Sequence, residues 1–216
     1  MSVIRRLFER LRATLFGGFE LDGEIPAVDW VIAGLGNPGE QYAGSRHNSG
    51  FRVLDRLALL KGASFTGHRF DGLAARVSFC DTMALLVKPQ TYYNRSGECV
   101  ARFVDHYHVT PERLIVVHDE IDLQSPRIRI KRGGGDAGNR GVRSITEVLA
   151  TPEFIRVRIG VGRPKSDEDA RDYVLKPLTD DEKAAFRETA DRAARAIEAI
   201  IADGLESAMG KFNQRI

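Results

Sequence analysis

The chain has 216 residues, enough to bury one sizeable core, and no Pro- or Ser-rich linker divides it, so a single domain is expected. Its two cysteines, Cys80 and Cys99, exclude a disulfide framework and suit reduced thiols in a cytosol-like compartment; neither sits in a C-x-x-C or Cys/His signature. A net charge of +2 does not announce a nucleic-acid binder by itself, and no apolar run reaches the length of a membrane span.

Met1 to Phe16 reads as a short amphipathic helix, with Val3, Ile4, Leu7, Phe8, Leu11 and Leu15 mostly on one side and Arg5, Arg6, Arg10 and Arg12 on the flanks. Its Arg-rich character permits an organellar presequence or a membrane-surface helix. Hydroxyl residues are few, however, and Glu20, Asp22, Glu24 and Asp29 follow soon after. Residues 1–29 are therefore read as a basic extension and linker outside a domain of residues 30–216, and the expected location is cytoplasmic.

Trp30 to Ala33 form a short apolar run bounded by glycine, the pattern of a strand buried on both faces. The loop beyond it carries Asn37, Pro38, Tyr42, Arg46, His47 and Asn48, and such loops are where open α/β sheets bind ligands. Gly34, Gly36 and Gly39 match G-x-G-x-x-G, the dinucleotide fingerprint. That site needs a helix opening within the motif, whereas Pro38 removes a donor, biases Asn37 towards extended geometry, and Gly44 interrupts the run that follows. The dinucleotide reading is set aside. Asn48 or Ser49 is expected to cap a helix with Phe51, Leu54 and Leu57 inward, which fixes His47 at a helix entrance where the dipole favours neutral imidazole, a competent base.

Leu73 to Phe79 and Met83 to Val87 read as a hairpin around Cys80, Asp81 and Thr82. Tyr92, Tyr93 and Asn94 then lead into a helix with Val100, Phe103 and Val104 inward, so Asn94 lies at a second strand-to-helix junction. Leu114 to Val117 is the next buried strand and ends in His118, Asp119 and Glu120; alternation puts Asp119 on the face opposite the other two. No H-E-x-x-H or paired metal spacing accompanies this acidic end, so neither a metal nor a cofactor is expected.

Between Arg127 and Arg143 six cations face the single acid Asp136, a surplus of five and enough for a phosphate-binding patch. Within it Gly133, Gly134, Gly135 and Gly138 suggest a mobile loop whose N–H groups suit oxygen ligands; Asn139 and Arg140 exclude a P-loop. A helix carrying Val142, Ile145 and Val148 follows. The strand Phe154 to Val161 then turns Val157 and Ile159 to one face and Arg156 and Arg158 to the other. Asp167 to Tyr173, bounded by Pro164 and Pro177, reads as a surface flap, and Asp180 to Ile201 as a long helix ended by Gly204.

The segments GLGNPGEQYAGSRHNSG, KPQTYYNRSG, VVHDEIDL and KRGGGDAGNRGVRSI, with the ending AMGKFN, resemble bacterial-type peptidyl-tRNA hydrolases in the same order across Val31 to Asn213. The resemblance implies a single α/β domain with a mixed, twisted β-sheet flanked by helices. It also implies hydrolysis of the ester joining a peptide to the terminal ribose of tRNA, recycling chains released prematurely from the ribosome. On that resemblance His47 is the base, Asp119 its orienting carboxylate, and Asn37 and Asn94 the amides that hold the peptide and the water. Tyr42 is an aromatic lining residue, and Lys131 and Arg158 grip tRNA phosphate. Tyr92, Tyr93, Asn139 and Arg140 complete the expected substrate- and tRNA-binding set, and a monomer with no stable protein partner is expected.

Two departures stand out. Gly138-Asn139-Arg140-Gly141 replaces the commoner Gly-His-Asn-Gly, and Tyr93 stands where Met is usual, a larger group expected to narrow the peptide channel. The chemistry is consistent on its own terms: an ester needs only a positioned water and a general base, and the chain has no G-x-S-x-G elbow. The rival expectation is a non-catalytic RNA-binding module, because a relative of this fold is a chloroplast RNA-splicing cofactor. A binding module has no use for the base at His47.

Overall fold

The computed structural model describes residues 27–164 and 168–214. The amphipathic helix expected over residues 1–16 therefore lies outside the described residues, as does the first residue of the expected flap, Asp167. The structure is a seven-stranded mixed sheet in the order β2-β3-β4-β1-β5-β7-β6. Its strands are β1 (Trp30–Gly34), β2 (Gly67–Arg69), β3 (Gly72–Phe79), β4 (Thr82–Pro89), β5 (Leu114–Glu120), β6 (Ile128–Arg132) and β7 (Ile155–Gly160). β1 pairs in parallel with β4 and β5, and β5 with β7. The expected hairpin forms as β3 against β4, and β2 and β6 add antiparallel edges. The three-residue β2 is too short to leave an alternation in the sequence.

The helices are α1 (Glu40–Ala43), α2 (Ser49–Leu60), α3 (Ser96–His106), α4 (Arg140–Leu149), α5 (Ala170–Leu175), α6 (Asp180–Asp203) and α7 (Leu205–Phe212). Leu54 and Leu57 of α2, Ile197 of α6 and Phe212 of α7 join Ile32, Val117 and Val157 in one core. Val100 and Phe103 of α3 and Val142 and Ile145 of α4 join Val31, Ala33 and Val116 in the other. Successive residues of β1 thus enter opposite cores, which is why its sequence reads as a continuous apolar run rather than an alternation. Thr179 and Glu182 close a capping box at the start of α6, satisfying orphan N–H groups that the long helix exposes. Among the described residues no helix is long and apolar enough to cross a membrane.

The chain leaves β1 for β4 on one side and reaches β5 on the other, with α2 and α3 on opposite faces of the sheet. The crevice outside the carboxyl ends of β4, β1 and β5 is thus a topological switch point. Two glycines bring the start of α2 down onto that crevice. A side chain at Gly34 would overlap the Gly50 carbonyl, and one at Gly50 would overlap the backbone of Leu35 and Val117. Those neighbours are main chain held by the sheet and by α2 and cannot swing aside. Gly50→Ala is accordingly expected to cost about 3 kcal/mol, read as a lower urea midpoint with unchanged slope.

Candidate functional site

The loops after the three central parallel strands converge on one cavity of about 630 Å³. Asn37 comes from the loop after β1, Tyr92, Tyr93 and Asn94 from the turn after β4, and Asp119 and Glu120 from the end of β5; His47 precedes α2, and Asn139 and Arg140 open α4. Tyr42 of α1 lines one side. The segment expected as a surface flap, Asp167 to Tyr173, supplies another wall through Ala170 and Arg171, continued by Val174 and Leu175, because its last four residues open α5.

At the centre, His47 Nδ1 lies 3.0 and 2.9 Å from the two carboxylate oxygens of Asp119. Asp119 is buried and His47 partly so. Burial pushes the Asp119 carboxyl up, but His47, the Tyr93 hydroxyl and His118 outweigh it and hold the group below its ordinary value. The carboxylate is therefore anionic, and His47 Nδ1 carries the proton that it accepts. Nε2 is left without a partner among the described residues, in a side chain that lines the cavity. As alternation required, Asp119 faces away from His118 and Glu120: His118 donates from Nδ1 to the Asp119 main-chain carbonyl, and Glu120 turns to Arg158. Burial lowers His118 to about 4, so it is a neutral, buried neighbour of the site.

His47 is not held by the expected helix cap. Neither Asn48 nor Ser49 caps α2 with its side chain. Asn48 instead reaches back to the β1 loop, accepting from Asn37 N at 2.8 Å and donating to Asn37 O at 2.9 Å, while the Ser49 hydroxyl donates to Arg46 O. A buried amide with both a donor and an acceptor to satisfy gains more from pairing with a main-chain N–H and C=O than from one cap bond. Arg46 anchors the other side of the histidine. Its guanidinium meets Glu182 at 2.6 Å and covers the Tyr173 ring at 4.3 Å, and Arg46 N donates to Lys176 O. His47 is thus clamped between the β1 loop and the start of α6.

Asn37 is oriented too. Its Oδ1 accepts from Tyr93 N at 2.8 Å, which fixes the amide and leaves Nδ2 as its free donor for a ligand. Asn94 is exposed on the cavity wall, and its side chain makes no hydrogen bond among the described residues. Asn139, expected to meet substrate, has its amide engaged already: Oδ1 accepts from Gly141 N and Val142 N as the cap of α4, and Nδ2 donates to the Tyr93 hydroxyl and to Asp119 O. Tyr93, expected to narrow the channel, lines the cavity and makes further contacts there. It is only 3% exposed, stacks on the His47 ring with centroids 3.4 Å apart, and donates its hydroxyl to Asp119 Oδ1 at 2.7 Å.

The basic patch is contiguous with the cavity through Glu120. On β6 and β7 the antiparallel register sets Arg129 beside Arg158 and Lys131 beside Arg156. Arg156 is almost wholly buried and donates to the carbonyls of Gly135 and Gly134 at 2.8 and 2.7 Å. The glycine loop expected to offer free N–H groups is therefore pinned through its carbonyls. Arg158 is partly neutralised by Glu120 at 2.8 Å, whereas Lys131 has no carboxylate partner among the described residues. Burial and the charges of Arg156 and Arg158 lower the Lys131 ammonium and outweigh the opposing charge of Glu120. Among the described residues no group of three or more His, Cys, Asp or Glu side chains is placed to hold a metal ion.

Fold and site define a single-domain α/β protein with a polar cleft at the carboxyl ends of its parallel strands, built around a buried His–Asp pair. A family model described as Peptidyl-tRNA hydrolase matches residues 31–216. The chain is 44% identical over 184 residues to the peptidyl-tRNA hydrolase of Frankia casuarinae, covering 85% of this chain and 93% of the relative. It is 44% identical over 186 residues to that of Nitrosomonas europaea, covering 86% and 95%. The crystal structure of peptidyl-tRNA hydrolase from Acinetobacter baumannii superimposes with a TM-score of 0.80 at 34% identity, covering 88% of this chain and 97% of that one. The chain belongs to the peptidyl-tRNA hydrolase family.

Proposed function

We propose that this chain hydrolyses the ester joining peptide to tRNA with His47 as general base and Asp119 as the carboxylate that orients it. The observation that carries this reading is the commitment of His47 Nδ1 to Asp119, which reserves Nε2 for a water in the cavity. Nε2 takes a proton from that water as its oxygen bonds the ester carbonyl carbon. The imidazolium, stabilised by Asp119, then returns the proton to the ribose oxygen as the ester C–O bond breaks. Asn94 positions the water or donates to the developing oxyanion, and Asn37 Nδ2 holds the peptide. Tyr42 and Tyr92 flank the substrate. No covalent acyl-enzyme is needed, because ribose is a better leaving group than an amine.

The tRNA moiety lies against the cationic face. Lys131 takes a phosphate there, with Arg158 beside it and Arg140 at the cavity mouth; phosphate contacts give affinity without reading sequence, as suits an enzyme for many tRNAs. Lys131→Ala is expected to weaken tRNA binding and to reduce the slope of log K against log salt by about 1. Arg158→Ala changes the slope less, because Glu120 already offsets its charge. An unchanged slope for Lys131→Ala removes it from the phosphate site. The same reading has the chain acting as a monomer in the cytoplasm, where released peptidyl-tRNA accumulates. Release of peptide from an N-blocked aminoacyl-tRNA is the direct test, and its absence overturns the reading.

A further inference from the structure

Asp119 is shared. Besides His47 it accepts the Tyr93 hydroxyl at 2.7 Å, and that hydroxyl in turn accepts from Asn139 Nδ2 at 2.9 Å. Asn139 occupies one lone pair of the phenol oxygen and so turns its proton towards Asp119. The ring carrying the hydroxyl lies flat on the imidazole, 15° from parallel. Its main-chain N–H, through Asn37 Oδ1, fixes the amide at the opposite side of the cavity. One buried residue therefore touches base, carboxylate and amide together, the first two through its side chain and the amide of Asn37 through its main-chain N–H.

We propose that Tyr93 is a positioning residue that sets the proton affinity of the His47–Asp119 pair through the hydrogen bond its hydroxyl gives Asp119; the proposal rests on the hydrolytic reading above and deepens it. A carboxylate that accepts a second strong bond has less charge to offer the imidazolium, so the pair holds its proton less tightly than His47 and Asp119 alone. The hydroxyl keeps this role at every working pH, since burial, then the Asp119 charge, push the phenol well above its ordinary range. The other titratable or charged groups around the pair are His118, Glu120 with its partner Arg158, Tyr42 across the loop, and Arg140 and Arg171 at the cavity wall. Among the described residues none of these hydrogen-bonds the His47 ring or the Asp119 carboxylate. Tyr93 is thus the side chain whose loss changes the pair's bonding directly.

Tyr93→Phe keeps the stacked ring and removes the bond. In the full chain without substrate, the imidazole nitrogens of His47 are followed by NMR against pH. The midpoint is expected to rise by about half a unit to one unit, and the acid limb of kcat/KM to rise with it. On the plateau, kcat is expected to fall about three- to tenfold with KM within about twofold, because a carboxylate with one anchor fewer orients the base less well. A midpoint and acid limb that superimpose on those of the parent overturn the proposal. Tyr93→Met, which removes ring and hydroxyl together, is the second variant and is expected to shift the midpoint in the same direction. A shift in the Met variant alone assigns the effect to stacking and also overturns the proposal. If the midpoint moves in Tyr93→Phe while the parent releases no peptide, the coupling stands and the hydrolytic reading falls.

Discussion

Replacing His47 by alanine is expected to lower kcat/KM for peptide release by about 10²- to 10⁴-fold, the range that a positioned general base contributes. The substitution removes a ring whose Nδ1 is already bonded to Asp119, so water loses its base. The proposed phosphate-binding face is untouched, since Lys131 and Arg129 stand on β6, away from the helix entrance. Affinity for intact tRNA is therefore expected to stay within about twofold of the parent. Separate measurement of release and tRNA binding checks both halves. A non-catalytic RNA-binding module of this fold would show neither release nor any effect of the substitution.

Asp119→Asn is expected to cost on the order of 10³-fold in kcat with little change in KM. The sign follows from the hydrogen bonds around the carboxylate. Tyr93 donates to Oδ1, and the Asn139 amide, by donating to the phenol oxygen, keeps that proton turned towards position 119. The new amide must therefore turn its oxygen to Tyr93 and its NH2 to His47. That forces Nδ1 to accept and moves the ring proton to Nε2, where no lone pair remains for water. Removing the bond from Tyr93 as well frees the amide to rotate, so the double variant with Tyr93→Phe is expected to recover part of the lost rate. A pair of effects that simply multiplied would argue against this tautomer account.

Much of this architecture was legible in the sequence, and the part that was not has a common cause. Continuous apolar runs marked β1 and β5 because both faces of those strands enter cores, and glycine marked the end of α6. Alternation also separated Asp119 correctly from His118 and Glu120. Periodicity reports a face, however, and never a partner. It turned Arg156 and Arg158 outward together, yet one is buried under the glycine loop and the other is paired with Glu120. Asn48 has the composition of a cap, and only the approach of the β1 loop, eleven positions away, diverts it. Arg46 was visible at the strand mouth without its anchor at Glu182, which lies 136 positions on.

Tyr93 makes the same point within the site. Read against its relatives it was a bulkier group in a channel, because size is what a one-letter change displays. Its hydroxyl becomes a donor to Asp119 only when the turn after β4 and the end of β5 are brought together on either side of β1. Asn139, adjacent to a glycine loop and read as a substrate contact, is similarly absorbed by the scaffold that aims this hydroxyl.

The most direct measurement is single-turnover release of the blocked amino acid from N-blocked aminoacyl-tRNA, carried out by the full chain in ¹⁸O-labelled water. The account predicts rapid release, one labelled oxygen in the carboxyl group of the product, an unlabelled ribose hydroxyl on the tRNA, and no acyl group on the protein at any time. Absence of release, or a protein-bound acyl group formed before product appears, would contradict it.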